Sequence, residues 1–149
     1  MHRMQASSKL LGILRKREAL RLKAYQCQAG KWTIGYGHTR NVKSGDTCTP
    51  EQAEAWLKSD TAKAETIVND AAKVAMTQPQ FDALVSFAYN AGSLGIKLKQ
   101  CVNAGDWAAV PAALREWKYV TDPETKKKTV SNGLIARREE EIAILEDRI

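Results

Sequence analysis

Residues 18–38 read EALRLKAYQCQAGKWTIGYGH. Leu20, Leu22 and Ala24 alternate with Arg21, Lys23 and Tyr25, the period-two pattern of an edge strand with one wet face. Gln28-Ala29-Gly30 turns the chain, and residues 31–37 return as a second strand rich in aromatic and β-branched side chains, which predicts a small hairpin. Gly35 and Gly37 flank Tyr36, and glycine inside a strand marks a bulge or the close approach of another group. One acid, one thiol and one hydroxyl, Glu18, Cys27 and Thr33, are gathered around this segment. In the predicted hairpin Cys27 and Thr33 face each other across the two strands, and Glu18 looks at both from a helix end.

Upstream, Leu10, Leu11, Ile13 and Leu14 supply an apolar face at helical spacing, so a helix is expected from Gln5 to Glu18. Arg15, Lys16 and Arg17 charge its last turn, where cations suit the helix dipole. Downstream, Thr49-Pro50-Glu51-Gln52 is a capping box with proline at the first helical position. It starts a helix expected over residues 50–74, striped by Ala53, Trp56, Leu57, Ala64, Ile67, Val68 and Ala71. Asp60 falls on that stripe, and a carboxylate there needs a partner because an unpaired buried charge is costly. His38 is the candidate, forming a structural pair that pins the hairpin to the helix.

Thr77-Gln78-Pro79-Gln80 repeats the capping logic and opens a helix carrying Phe81, Leu84, Val85, Ala88 and Tyr89, ended by Asn90-Ala91-Gly92. Phe87 lies off that face, so this helix should be buried on more than one side. A shorter helix is expected over residues 95–103, and another capped by Asp106 with Trp107, Val110, Leu114 and Trp117 on its face. Residues 121–132, with a run of three lysines, read as a solvated loop. The last segment reads as a helix with Leu134, Ile135, Ile142 and Leu145 inward. Arg137, Arg138 and Glu139 to Glu141 would then form ion pairs worth only tenths of a kcal/mol each. The fold class is therefore α+β and mostly α, a hairpin followed by about five helices.

The chain has 149 residues, the usual size of one domain, and can bury roughly two-thirds of its unfolded surface without a metal or disulfide staple. Apolar residues at 44% and charged residues at 27% exclude intrinsic disorder. Twenty-three Lys and Arg against seventeen Asp and Glu give +6, which attracts polyanions without choosing among them. No run approaches the roughly 20 apolar residues of a membrane helix, and the apolar core of the first 18 residues is too short for a signal peptide, so the chain is not expected to export itself. Three cysteines cannot all pair internally, and no metal-ligand spacing appears. A nucleic-acid partner is not expected, because the basic residues do not cluster with interleaved aromatics.

Glu18, Cys27 and Thr33 stand in the order Glu, eight residues, Cys, five residues, Thr. Glycoside hydrolysis needs an acid to protonate the leaving oxygen and a second group to activate water on the opposite face. The pattern resembles the phage-type lysozymes, the endolysins of glycoside hydrolase family 24, whose signature is Glu, eight residues, Asp or Cys, five residues, Thr. ALRLKAY, WTIGYGHT, TPEQAEAWLKSD, QFDALVSFAYNAG, NAGDW and GLIARREEE also read like family segments in the family order, over about residues 17–146.

The resemblance implies a single lysozyme-like domain over residues 1–149. Its parts would be a small β-containing lobe at about 18–49, a linking helix at about 50–75, and a helical lobe at about 76–149 joined by the N-terminal helix. It implies that Glu18 is the general acid, that Cys27 holds the place many members give to aspartate, and that Thr33 helps hold the attacking water. The bond implied is β-1,4 between N-acetylmuramic acid and N-acetylglucosamine in peptidoglycan glycan strands, cut without a cofactor or metal by a monomer that does not insert stably into membrane. Such a protein waits in the host cytoplasm before lysis and acts in the periplasm. Tyr36, Tyr89, Asn90, Trp117, Arg137 and Arg138 are the substrate-binding candidates. A thiol is mostly neutral at pH 7, so Cys27 is expected to position water more than to supply charge. Residues 92–103 are shorter than the family spacing, and a Cys27–Cys48 disulfide, as in some membrane-anchored relatives, would block the site. Two alternatives remain open: a lytic transglycosylase at the same bond, and a basic domain that holds cell wall without cutting it.

Overall fold

The computed structural model describes residues 3–149. Helix α1 (Ser8–Glu18) begins three residues later than expected, because the Ser7 hydroxyl caps it by accepting from the Leu10 amide. Residues 3–6 are not helical, and they are tied down where the Met4 amide donates to Asn69 Oδ1 at 2.9 Å and the Ala6 amide to Glu65 Oε2 at 2.6 Å. Leu10 and Leu14 are fully buried.

Strands β1 (Arg21–Gln26) and β2 (Trp32–Gly35) form the expected antiparallel hairpin. Two expectations about it fail. β1 is not an edge strand, since residues 46–48 line its other side through a Lys23–Thr47 bridge and a Cys48 amide donating to the Leu22 carbonyl at 2.9 Å. Its leucines do not form a buried face either: Leu20 is 38% and Leu22 44% exposed. The register shifts between Arg21 and Tyr25, which breaks the alternation, and Ala24 alone of the strand is buried.

Helix α2 (Pro50–Ala71) starts with the predicted capping box at Thr49 and stops short of Val74. Helix α3 (Gln78–Ala91) has a second capping box at Thr77 and a left-handed Gly92 at its end. Every residue from Phe81 to Ala88 is buried, as the expectation of burial on several sides requires. The core cluster built on α3 takes in Leu57, Ala64 and Val68 of α2 and Leu10 and Leu14 of α1. Helix α4 (Ile96–Asn103) follows and adds Leu98 and Val102.

The helix expected after Asp106 is divided. A 3-10 turn at Trp107–Ala109 runs into the short α5 (Val110–Arg115), and Asp106 makes no side-chain cap. Pro111 lacks an amide proton, so it is tolerated only in a first turn and the α-helix must restart beside it. Trp117 therefore lies beyond the helix, edge-on to Phe87 with ring centroids 5.3 Å apart.

The segment read as a loop, residues 121–132, instead supplies the turn and second strand of another antiparallel hairpin, β3 (Tyr119–Thr121) and β4 (Lys128–Val130). Asp122 closes its turn by accepting from the Glu124 and Thr125 amides at 2.8 and 2.9 Å. Helix α6 (Asn132–Leu145), capped by Ser131, corrects the reading of its own surface. Ile135 is 38% exposed, while Arg138 and Glu141 are 1% and 0% exposed. Their pair sits inside the protein, not on it.

Candidate active site

Glu18 is the last residue of α1, and the chain leaves it through Ala19 at φ 47°, ψ 131°. An L-residue holds such a conformation at a cost of about 1–3 kcal/mol, and here that strain lies directly beside the acid. The Glu18 side chain is only 7% exposed. Its Oε1 is 3.3 Å from Arg17 Nε, and its Oε2 is 3.2 Å from an Arg137 guanidinium nitrogen delivered by α6.

Gly37 presses on the same carboxyl. It holds φ 79°, and a Cβ built there would stand 3.0 Å from Glu18 Oε2. Gly37→Ala is expected to displace the carboxyl, lower lytic activity by about tenfold or more, and cost about 1–2 kcal/mol of stability through the left-handed backbone. Turbidity loss and a thermal melt read the two effects separately.

Cys27 opens the turn of the first hairpin, its amide donating to the Lys31 carbonyl and its own carbonyl accepting from Gly30, both at 2.9 Å. Thr33 stands directly across from Tyr25, not from Cys27, so the thiol and hydroxyl are diagonal neighbours one pleat apart. Thr33 is 4% exposed, and its Oγ1 donates to the Lys31 carbonyl at 3.1 Å. Its proton is thus committed and its free lone pair is left as an acceptor.

A cleft of about 880 Å³ opens between the hairpins, with Cys27 and Gln28 on one wall, Trp117 and Tyr119 on the other, and Asn90 and Arg137 between them. The walls touch at one end, where Ser131 Oγ donates to Gln28 Oε1 at 2.8 Å. A smaller groove of about 220 Å³ is lined by Gly37, Asp60, Lys63, Ile67 and Tyr89. Glu18 contacts Gly37 in the groove and Arg137 in the cleft, so the acid stands between the two.

A family model for Phage lysozyme matches residues 15–141. The chain belongs to the phage lysozyme family. It is 42% identical over 146 residues to the endolysin of Acyrthosiphon pisum secondary endosymbiont phage 1, covering 96% of this chain and 99% of that one. The endolysin from Escherichia coli O157:H7 phage FAHEc1 superposes with a TM-score of 0.86 at 39% identity, over 99% of this chain and 97% of that one. The muramidase domain of SpmX from Asticaccaulis excentricus does so with a TM-score of 0.80 at 32% identity, over 96% and 98%. The resemblance read from the sequence is borne out, as is the mostly helical lysozyme-like fold, and membership makes this a glycoside hydrolase of the lysozyme class.

Within this phage lysozyme the remaining candidates separate. Asn90, Trp117, Arg137 and Arg138 all line the cleft, but Arg138 is buried in its wall, its guanidinium directed to Glu141, to Asn90 Oδ1 at 2.9 Å and to the Trp117 carbonyl at 3.3 Å. The Tyr89 hydroxyl donates to the Tyr36 carbonyl at 2.6 Å, and burial pushes its phenol well above the usual tyrosine range, so it is a fixed donor tying α3 to the hairpin. Tyr36 enters that bond through its backbone. His38 Nδ1 faces Asp60 Oδ2 at 2.8 Å, and the imidazole stacks on Trp56 with ring centroids 4.6 Å apart.

All three cysteines are free. Cys48 lies opposite Leu22, five positions before Cys27 along β1, or about 16 Å at 3.3 Å per residue. A disulfide needs Cα atoms within about 7 Å, so a Cys27–Cys48 bridge requires this hairpin to rearrange. Sequence reasoning missed Tyr119 and Gln28 in the cleft and Arg17 beneath the acid. The β-branched residues flanking Asp122-Pro123 were a usable sign of the hairpin that carries Tyr119.

Proposed function

We propose that the protein is a phage endolysin, a muramidase that hydrolyses the β-1,4 bond between N-acetylmuramic acid and N-acetylglucosamine in peptidoglycan. The observation that carries this reading is the position of Glu18, a nearly buried carboxyl clamped by two arginines and in contact with Arg137 of the cleft and Gly37 of the groove. A polymer threaded along both grooves presents an internal bond to the acid, which suits cutting within a glycan strand. Glu18 gives its proton to the leaving oxygen as positive charge develops on the sugar. Water attacks from the opposite face, donating a hydrogen bond to Thr33 Oγ1 while Cys27 confines it, and the proton it loses on attack passes to solvent, from which Glu18 is reprotonated.

Peptidoglycan places the work in the periplasm, with the protein held as a monomer in the host cytoplasm until lysis. Among the described residues, no helix is long and apolar enough to cross a membrane. Mass spectrometry of muropeptides released from purified sacculi tests the reaction. Hydrolysis leaves reducing N-acetylmuramic acid ends, whereas a transglycosylase leaves 1,6-anhydro ends lighter by one water. Anhydro ends as the main product would overturn the hydrolase, and intact sacculi with folded protein would favour a domain that binds without cutting.

A further inference from the structure

We infer that Arg17 is a positioning residue for Glu18, a role that rests on Glu18 being the acid of the reaction proposed above. Consecutive residues of a helix point about 100° apart and do not ordinarily meet. Arg17 meets Glu18 because its guanidinium is drawn sideways and seated by two other helices. Its Nη1 donates to Ser86 Oγ of α3 at 2.7 Å, with Glu140 Oε1 and Glu141 Oε2 of α6 at 3.4 and 3.5 Å. Ser86 Oγ donates in turn to Glu141 Oε2 at 2.7 Å. From that seat the Nε reaches Glu18 Oε1 at 3.3 Å.

The arrangement is a poor one for stability. The Arg17 side chain is 8% exposed, and its Nη2 is buried without a hydrogen-bond partner. Arg138 shares Glu141 with it, so two guanidiniums crowd one buried carboxylate. A buried donor left unsatisfied beside a like charge is a cost that a surface position would avoid.

What the arrangement supplies is a fixed orientation of the acid. A guanidinium only donates, so each oxygen of the carboxyl is held as an acceptor, Oε1 by Arg17 and Oε2 by Arg137. Oε2 is also the oxygen against Gly37. Arg137 is 30% exposed and approaches from the cleft side, whereas Arg17 holds from within. Arg17 thus fixes the direction of the carboxyl without touching the glycan.

The test is kcat and KM on dye-labelled peptidoglycan for Arg17→Gln, Arg17→Lys and Ser86→Ala, each with a thermal melt. Arg17→Gln is expected to lower kcat by about 10- to 100-fold, since a misaimed group loses rate rather than binding, with KM held within about twofold. Arg17→Lys keeps the charge but not the fork, and is expected to recover part of the lost kcat. Ser86→Ala loosens the seat and should lower kcat in the same direction by less. A folded Arg17→Gln with kcat within about twofold of wild type overturns the inference, as does a loss that falls on KM alone. Should Arg17→Gln fail to fold, unchanged kcat in both Arg17→Lys and Ser86→Ala overturns it equally. Failure of the underlying reading looks different, because Glu18→Gln would then stay active whatever residue stands at 17.

Discussion

Glu18→Gln is expected to lower lysis of chloroform-treated cells by about 10²- to 10⁴-fold, the range over which a positioned acid works, while the far-ultraviolet circular dichroism stays that of wild type. Glutamine keeps the length and shape of the side chain, and its carbonyl can still accept from one arginine. Its amide has no proton to release at neutral pH. The other arginine then faces an NH2 group in place of an oxygen, so a modest drop in melting temperature accompanies the loss of activity. Turbidity traces of the two proteins, run side by side, decide the matter: full activity in a folded Glu18→Gln removes this residue from the chemistry. Cys27→Asp in the same assay is expected to retain measurable lysis, because a carboxylate can also hold the attacking water. Cys27 and Glu18 therefore differ in what their replacement costs.

Arg138→Met is expected to destabilise the fold by about 3–5 kcal/mol, the scale on which breaking a buried ion pair leaves the surviving charge uncompensated. For a chain of this size that corresponds to a fall of about 10 °C or more in melting temperature. Arg138 lies 4.8 Å over the Phe87 ring, with its Nε 2.8 Å from Glu141 Oε1. Neither of those two atoms makes an aligned hydrogen bond, since side chains three apart on one helix meet at an oblique angle. Burial pushes the Glu141 carboxyl up and the Arg138 guanidinium down, each toward its neutral form, while their mutual attraction works the other way. Combining Arg138→Met with Glu141→Leu is expected to return most of the lost stability, because both desolvated charges are then gone. Melting curves of the two single variants and the double variant give the coupling between them. Additive losses would mean that the pair does not act as a unit.

Some elements were legible because their signals are local. The capping boxes at Thr49 and Thr77 are each written within four residues, and α2 and α3 start where those signals stand. The first hairpin was legible for the same reason. β3 and β4 were harder to read, since three-residue strands carry little alternation and only the β-branched residues about Asp122-Pro123 mark them beside a lysine run. On α6, Arg138 and Glu141 show the spacing of a solvated ion pair, and nothing in that spacing tells a buried pair from an exposed one. The packing of α6 on α3 decides the difference.

The candidate site divides along the same line. Glu18, Cys27 and Thr33 lie within sixteen consecutive residues, so their grouping could be read before any packing was known. Arg137 comes to the acid from more than a hundred positions away, and Gly37 meets it only after the hairpin folds back.

The sequence by itself determined the starts of α2 and α3, the first hairpin, the family and the order of the three candidate catalytic side chains, because each is encoded in neighbours along the chain. Tertiary structure alone decided which charges are buried, which residues hold each oxygen of Glu18, and that a second hairpin forms the far wall of the cleft. Those outcomes depend on which distant surfaces exclude water from one another, and hydrophobic burial, being non-directional, leaves no local pattern from which to read them.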